Sequence, residues 1–271
     1  MKVSIVTINR NNLTGLKETY RSIVSQTFKD WEWIVVDGGS TEGDRSFIKE
    51  HADRISWWCS EPDSGVYDAQ NKGIAHARGE WMIFMNSGDR FCDNKVLERV
   101  FKAEHTADVL YGDWVRVYED GRMEEIKAPE RMSVHFICRD NLCHQAIFVK
   151  GDLLRQSPYN EEYTVYADWA KWIELVLGRY VFEHLPFSVC YFSVGGLSAN
   201  VTAEVEKERE RMIRRETYPA LMETVNAYYA IRDIHTLTAE TETFVYSHKT
   251  YRRIIRTALF LCRMLKKMWG V

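Results

Sequence analysis

No two of the six cysteines (Cys59, Cys92, Cys138, Cys143, Cys190 and Cys262) form a C-x-x-C pair, and most lie in apolar surroundings. That pattern speaks against a zinc site or a disulfide framework and for reduced, packed thiols. No G-x-G-x-x-G follows the first apolar run and no Walker-type lysine loop occurs, which argues against a dinucleotide enzyme or a phosphate-loop ATPase. No window approaches the roughly 18 unbroken apolar residues of a membrane span. Met1-Lys2 leads directly into a strand pattern without a charged-then-apolar leader, so a cytoplasmic chain with no cleavable signal is the expectation. Acidic residues are absent after Glu242, where Lys249, Arg252, Arg253, Arg256, Arg263, Lys266 and Lys267 give seven positive charges. Against a whole-chain net charge of −3, residues 1–242 therefore carry −10. Such a tail suits a partner or a membrane surface, and no nucleic acid is expected.

What is present is 271 residues, 45% apolar and 28% charged, enough for one large domain or a domain with a helical appendix. Three apolar runs end alike in polar residues. Val3-Ser4-Ile5-Val6-Thr7-Ile8 runs into Asn9-Arg10-Asn11, Trp33-Ile34-Val35-Val36 into Asp37-Gly38-Gly39-Ser40, and Trp81-Met82-Ile83-Phe84 into Met85-Asn86-Ser87-Gly88-Asp89. In an open α/β sheet a ligand binds outside the carboxyl ends of the strands, so these clusters are placed to hold one. Strand and helix patterns alternate up to about residue 112. A helix is expected to open at Thr14 as N-cap, a strand over 54–58, a helix over 67–77, another near 95–103, and a strand over 108–111. The alternation implies a mixed, mainly parallel sheet covered by helices.

The pattern changes beyond Gly112. Residues 114–118 and 122–127 read as a hairpin, 145–149 as a strand, and 167–177 as a helix preceded by another from about Asp152. Residues 180–183 and 189–192 read as two short strands. The expected organisation is a nucleotide-binding half (1–112), an acceptor half (113–200) and a C-terminal helical extension (201–271) broken at Pro219. On a helical wheel, residues 251–269 place Arg252, Arg256, Arg263, Lys266 and Lys267 opposite Ile254, Ala258, Leu261, Leu265 and Trp269. That basic amphipathic helix either lies on an anionic membrane or packs on the domain.

Several motifs together resemble glycosyltransferase family 2, the inverting nucleotide-sugar transferases with the GT-A fold that build bacterial surface polysaccharides. They are Ser4–Asn11, Ser25-Gln26-Thr27-Phe28, Trp33–Thr41, Asp63–Gly73, Ala77-Arg78-Gly79-Glu80 and Asn86–Asp89, followed by His144-Gln145 and Tyr166-Ala167-Asp168-Trp169. No family signal follows Ala203. The resemblance implies a single sugar moved from a nucleoside-diphosphate-sugar to a glycan or lipid-linked acceptor, and the chain lacks the Q-x-x-R-W signature of processive members. It implies donor contacts from Thr7, Asn9, Arg10, Asp37, Gly38, Asp63, Tyr67, Asn71, Lys72, Asn86 and Ser87. Asp89 would bind a divalent cation, Mn²⁺ or Mg²⁺, and Asp168 would be the catalytic base. His144, Gln145 and Trp169 are candidates for acceptor or diphosphate contact.

The residue chemistry agrees in part. Hard oxygen ligands suit Mg²⁺ or Mn²⁺, although the acidic run before Asp89 is thinned to Asn86, Ser87 and Gly88, leaving much of the coordination to phosphate. A carboxylate taking the proton of an acceptor hydroxyl contributes ~10²–10⁴-fold, and the positive end of a helix keeps it ionised. Taken alone, Asp168 would read first as a helix cap, and the upstream motifs turn the reading toward a base. His144 pairs poorly with Cys138 and Cys143 as a zinc site and is either packed or a polar contact. Asp113 is a turn residue or an acceptor contact. The rival to an enzyme is a non-catalytic nucleotide-sugar binding subunit on a degenerate transferase fold.

Overall fold

The computed structural model describes residues 1–41, 43–195 and 202–229. Strand β1 (Val3–Asn9) lies between two parallel neighbours, β2 (Trp31–Asp37) and β4 (Trp81–Phe84), with β3 (Trp57–Ser60) parallel to β2. A strand flanked on both edges and covered on both faces needs a continuous apolar run. Val3, Ile5, Val6, Ile34, Val35, Met82 and Ile83 supply it, all fully buried. Helices α1 (Leu13–Val24), α2 (Asp44–Glu50) and α3 (Val66–His76) bury Leu16, Ile23, Phe47, Ile48 and Ile74 around this core, each worth roughly 1.5–3 kcal/mol when fully covered.

The chain builds outward from β1 to β2 to β3 and then returns to place β4 on the other side of β1. A sheet whose order reverses in this way opens a crevice beyond the carboxyl ends of its strands. The register Asn9↔Asp37↔Ser60 brings those ends level.

Beyond β4 come β5 (Arg90–Phe91), α4 (Val96–Phe101), β6 (Val109–Val117), β7 (Met123–Ile126), α5 (Val134–Ile137), β8 (Ile147–Lys150), α6 (Gly151–Gln156), α7 (Ala167–Leu177), β9 (Phe182–Ser193) and α8 (Ala203–Glu216). The strands join one nine-stranded mixed sheet in the order β3-β2-β1-β4-β8-β6-β9-β5, with β7 paired to β6. Because β8 runs antiparallel to β4, its beginning lies at the end of β4. The single turn His144–Ala146 that leads into β8 is thus delivered beside Asn86–Asp89.

Four local expectations change. Asn12, not Thr14, caps α1: its Oδ1 accepts the Gly15 N–H at 3.0 Å, and Thr14 is already helical. Residues 52–54 form a turn and the strand begins at Trp57, where pairing with Ile34 starts. Residues 144–146 form a turn rather than the start of a strand. The two short strands of 180–192 are one, β9, paired with β6 through register shifts at Gly112/Asp113 and Asp113/Trp114. Pro186 lies inside it and has no N–H to give the ladder, which hides the strand from a pattern search.

Two compact units divide the chain, Met1–Tyr218 and Pro219–Val271. Helix α8 therefore belongs with the sheet, beyond the expected boundary at 200. In the second unit, residues 219–229 are helical, with Pro219 in the first turn, where a missing N–H costs no helical bond. The basic helix expected over 251–269 lies outside the described residues. Cys59, Cys92, Cys138, Cys143 and Cys190 are all free thiols, and no helix among the described residues is long and apolar enough to cross a membrane.

Candidate active site

The ends of β1, β2 and β3 are bound into one polar block. Asp37 is fully buried and accepts from Asn9 Nδ2 (2.8 Å), Ser40 Oγ (2.5 Å), the Ser40 N–H (3.1 Å) and Ser60 Oγ (2.6 Å). Asn9 Nδ2 also reaches Asp44 Oδ1 at 2.9 Å. Thr7 Oγ1 donates to Met85 O (2.8 Å) and accepts from Trp33 Nε1 (2.9 Å), tying β1 to both neighbours. Thr7, Asn9 and Asp37, expected as donor contacts, are therefore interior braces of the rim. Burying an ionised side chain demands this many donors, and Asp37 has no capacity left for a ribose.

The rim itself is formed by Arg10, Gly38 and Asp63. A Cβ at position 38 would overlap Asp63 Oδ2 and stand 3.4 Å from Arg10 Cδ. The absent side chain is what lets the Asp63 carboxylate lie over the end of β2. Its Oδ1 is 4.0 Å from Arg10 Nη1, and the Asp63 side chain is only 10% exposed whereas that of Arg10 is 68% exposed.

The loop after β4 is fixed from below. Thr19 Oγ1 contacts Asp89 O (2.6 Å) and Asn86 O (3.1 Å), and Asn12 and Ser87 exchange two bonds, Asn12 Nδ2 to Ser87 O (3.0 Å) and Ser87 Oγ to Asn12 O (3.1 Å). Gly88 turns the loop at φ +105°, a backbone region that side chains resist. Asp89 then points inward: Oδ2 accepts from Gln145 Nε2 (2.6 Å) and Oδ1 from the Ser193 N–H (3.0 Å). Burial raises its pKa from 3.8 to about 6, against the lowering pull of Ser193, Gln145, His144 and Arg90. Each oxygen of Asp89 accepts one protein donor, and no cluster of three or more His, Cys, Asp or Glu suited to a metal occurs among the described residues. Asp89 is thus a single carboxylate, and coordination of a cation there would rest largely on the donor phosphates. Gln145, 2% exposed, holds Asp89 and does not face an acceptor.

Asp168 stands in the first turn of α7. The N-cap is Tyr166, which gives no side-chain bond, so Asp168 is not the cap. Three donors surround its carboxylate: the Trp169 N–H to Oδ1 (2.7 Å), Tyr67 Oη to Oδ1 (3.1 Å) and His144 Nδ1 to Oδ2 (3.1 Å). The single Tyr67 hydroxyl proton is shared between Asp168 Oδ1 and the nearer Val165 O at 2.5 Å. Burial and the nearby Asp168 charge push the Tyr67 pKa well above its ordinary value, so it remains a donor. With Nδ1–H directed at Asp168, His144 Nε2 accepts from Asn86 Nδ2 at 3.0 Å. One hydrogen-bonded chain, Asp168–His144–Asn86, thus runs from α7 to the end of β4, and Tyr67 joins it to α3. The Asp168 carboxylate, 7% exposed, is thus fixed between α3, the 144–146 turn and the first turn of α7.

Other expected contacts are employed differently. Asn71 exchanges two bonds with the Tyr159 backbone (2.9 Å each way) and a third with Glu161 (2.8 Å), bracing the approach to α7. Lys72 pairs with Glu61 (3.1 Å) and Asp68 (3.4 Å) on the α3 surface. Trp169 is 4% exposed, with Nε1 bonded to Ile137 O (2.6 Å), and offers no face to a sugar. Asp113 is buried among Lys127, the Ala128 N–H and His184. Sequence reasoning passed over Asp44 and Ser60 beneath the rim. The position of Asp44 in the first turn of α2 was a readable signal, whereas nothing marks Ser60.

Comparison with known proteins bears on the family and the fold. Residues 4–152 match the family model described as glycosyl transferase family 2. The "PGL/p-HBAD biosynthesis glycosyltransferase" of Mycobacterium bovis BCG Pasteur is 34% identical over 173 residues, 61% of this chain and 66% of that protein. The "putative teichuronic acid biosynthesis glycosyltransferase TuaG" of Bacillus subtilis 168 is 28% identical over 137 residues, 48% of this chain and 54% of the other. These matches span between about half and two thirds of the relatives' length. The crystal structure of S. aureus TarS 1–349 in complex with UDP-GlcNAc superposes with a TM-score of 0.65 at 21% identity, covering 80% of this chain and 66% of that 1–349 chain. The likeness shows the GT-A fold expected from the sequence. With the family model covering more than half its length, the chain belongs to glycosyl transferase family 2.

Proposed function

We propose that this chain transfers a single sugar, with inversion, from a nucleoside-diphosphate-sugar to a glycan or lipid-linked acceptor in bacterial cell-surface polysaccharide or glycolipid assembly. One observation carries the reading: the Asp168 carboxylate is held by donors from α3, the 144–146 turn and α7, and is linked through His144 to Asn86 at the end of β4. In an inverting transfer the acceptor oxygen attacks the anomeric carbon from the face opposite the leaving diphosphate. Its proton passes to the base, here Asp168 Oδ2, while the bond to the diphosphate breaks.

The donor base and ribose are assigned to Arg10 and Asp63 over Gly38, and the diphosphate and sugar to Asn86, Ser87 and His144. Mn²⁺ or Mg²⁺ enters as a companion of the donor diphosphate, whose oxygens are hard ligands, and no step rests on a protein-held ion. Relatives named for PGL/p-HBAD and for teichuronic acid biosynthesis support the class of acceptor. A peripheral place on the inner face of a membrane accords with lipid-linked acceptors and with the run of basic residues after Glu242.

The test is a panel of nucleotide-sugars, UDP-GlcNAc and GDP-mannose among them, incubated with the full chain and membrane lipid extract. One sugar added per acceptor, with the opposite anomeric configuration by NMR, is the expected product. A retained configuration or a ladder of added sugars contradicts the proposal.

A further inference from the structure

Helix α8 lies beyond residues 4–152, the span of the family match, yet it grips the segment that leads into α7. The Glu208 carboxylate accepts three successive backbone N–H groups. Oε1 takes Thr164 (2.9 Å), Val165 (2.8 Å) and Tyr166 (3.1 Å), and Oε2 takes Thr164 as well (3.0 Å). Tyr166 is the N-cap of α7 and supplies no side-chain cap of its own. The contacts around Glu208 reinforce this grip. Tyr163 Oη donates to Glu216 Oε1 (2.7 Å), Arg211 Nη2 to Glu162 O (3.3 Å), Arg215 pairs with Glu162, and the Arg209 guanidinium lies 5.3 Å above the Trp169 ring. From the opposite side, the Tyr67 hydroxyl meets Val165 O.

We infer that α8 acts as a strap and that Glu208 is a positioning residue for Asp168. The inference rests on the reading of Asp168 as base. A negative carboxylate on three amides at the beginning of a helix makes charge-assisted bonds and matches the positive end of the helix dipole. It does so two to four residues before the base, on a segment whose opposite side is held by the Tyr67 hydroxyl. Remove the carboxylate and residues 164–166 are free to move relative to His144 and Asn86. A reacting group displaced by about 1 Å loses on the order of 10²-fold in rate.

Glu208→Ala and Glu208→Gln in the full chain test this, with UDP-GlcNAc or whichever donor of the panel turns over. Expected for Glu208→Ala are a kcat lower by about 10²-fold, a donor KM within about twofold, and faster hydrogen exchange at amides 164–166. Glu208→Gln, which keeps an acceptor oxygen without the charge, should recover part of the loss, and it carries the test if the alanine variant fails to fold. In an Asp168→Asn background, Glu208→Ala should add less than about threefold, because the two residues act through one group. The inference is overturned if kcat is unchanged while exchange at 164–166 quickens. It is also overturned if both variants lose kcat, donor affinity and melting temperature together. If Asp168→Asn itself keeps full turnover, the reading of the base fails and this inference falls with it. If Asp168→Asn abolishes turnover while both Glu208 variants keep theirs, the strap alone fails.

Discussion

Asp89→Asn separates a structural carboxylate from a metal ligand. The folded chain holds the Asp89 proton more tightly than the unfolded chain, with a pKa of about 6 against 3.8, because burial penalises the charged form. Native protein therefore binds more protons than unfolded protein between these values, and stability falls as pH rises through that window. A tenfold difference in proton affinity is worth about 1.4 kcal/mol, so ionised Asp89 costs the fold about 3 kcal/mol above pH 6 relative to its protonated form. Asp68, Asp93 and Asp113, whose pKa values are lowered, give the opposite slope, so wild type must be compared with the variant rather than read alone. Asparagine has the same shape. Its oxygen can keep the Ser193 N–H, and Gln145 need only turn its amide over. Urea unfolding between about pH 4 and pH 8 should show Asp89→Asn gaining about 2.4 kcal/mol on wild type as pH rises, with Mn²⁺ making no difference. A flat difference refutes the linkage. Wild type gaining on the variant with rising pH, more so with Mn²⁺, would show that the ionised form is favoured and that Asp89 holds a cation.

Gly38→Ala should force the Asp63 carboxylate off the end of β2. Losing one hydrogen bond to a charged group, about 1.5–3 kcal/mol, weakens donor binding by roughly 10–150-fold in calorimetry with UDP and UDP-GlcNAc; unchanged affinity removes Asp63 from the donor site. Tyr67→Phe keeps the buried ring and deletes the hydroxyl near Val165 O and Asp168, so kcat should fall while the donor dissociation constant holds. Equal losses in both would mean that Tyr67 serves donor binding. Asn71→Ala leaves the Tyr159 N–H and C=O without their partner and should cost about 1–3 kcal/mol in urea unfolding. A loss of donor affinity with full stability would restore Asn71 to the donor site.

The architecture was legible because strand ends and chain order carry it. Apolar runs that stop at Asn9, Asp37 and Asn86 announce where a parallel sheet opens, and the structure gathers all three ends on one edge. The roles of individual side chains were harder to read, since a motif gives proximity and not direction. Asp37 and Asn9 lie where the motif puts them but point into the rim, because two buried carboxylates, Asp37 and Asp44, need the Asn9 amide between them. Gln145 and Trp169 follow readable neighbours, His144 and Asp168, yet in a helical turn successive side chains point in different directions around the axis, and these two turn inward. The meeting of His144 with Asn86 depends on β8 running against β4, a pairing that no local pattern encodes. Glu208 is one charge in a charged helix, and only the backbone amides facing it distinguish it from a solvated surface.

The account turns on whether Asp168 removes the acceptor proton. Paired measurements on Asp168→Asn, donor affinity by calorimetry and sugar transfer by product release, test it most directly. Loss of a general base should lower kcat by ~10²–10⁴-fold with donor affinity unchanged. Transfer persisting at the wild-type rate, or donor binding lost along with it, would contradict the account.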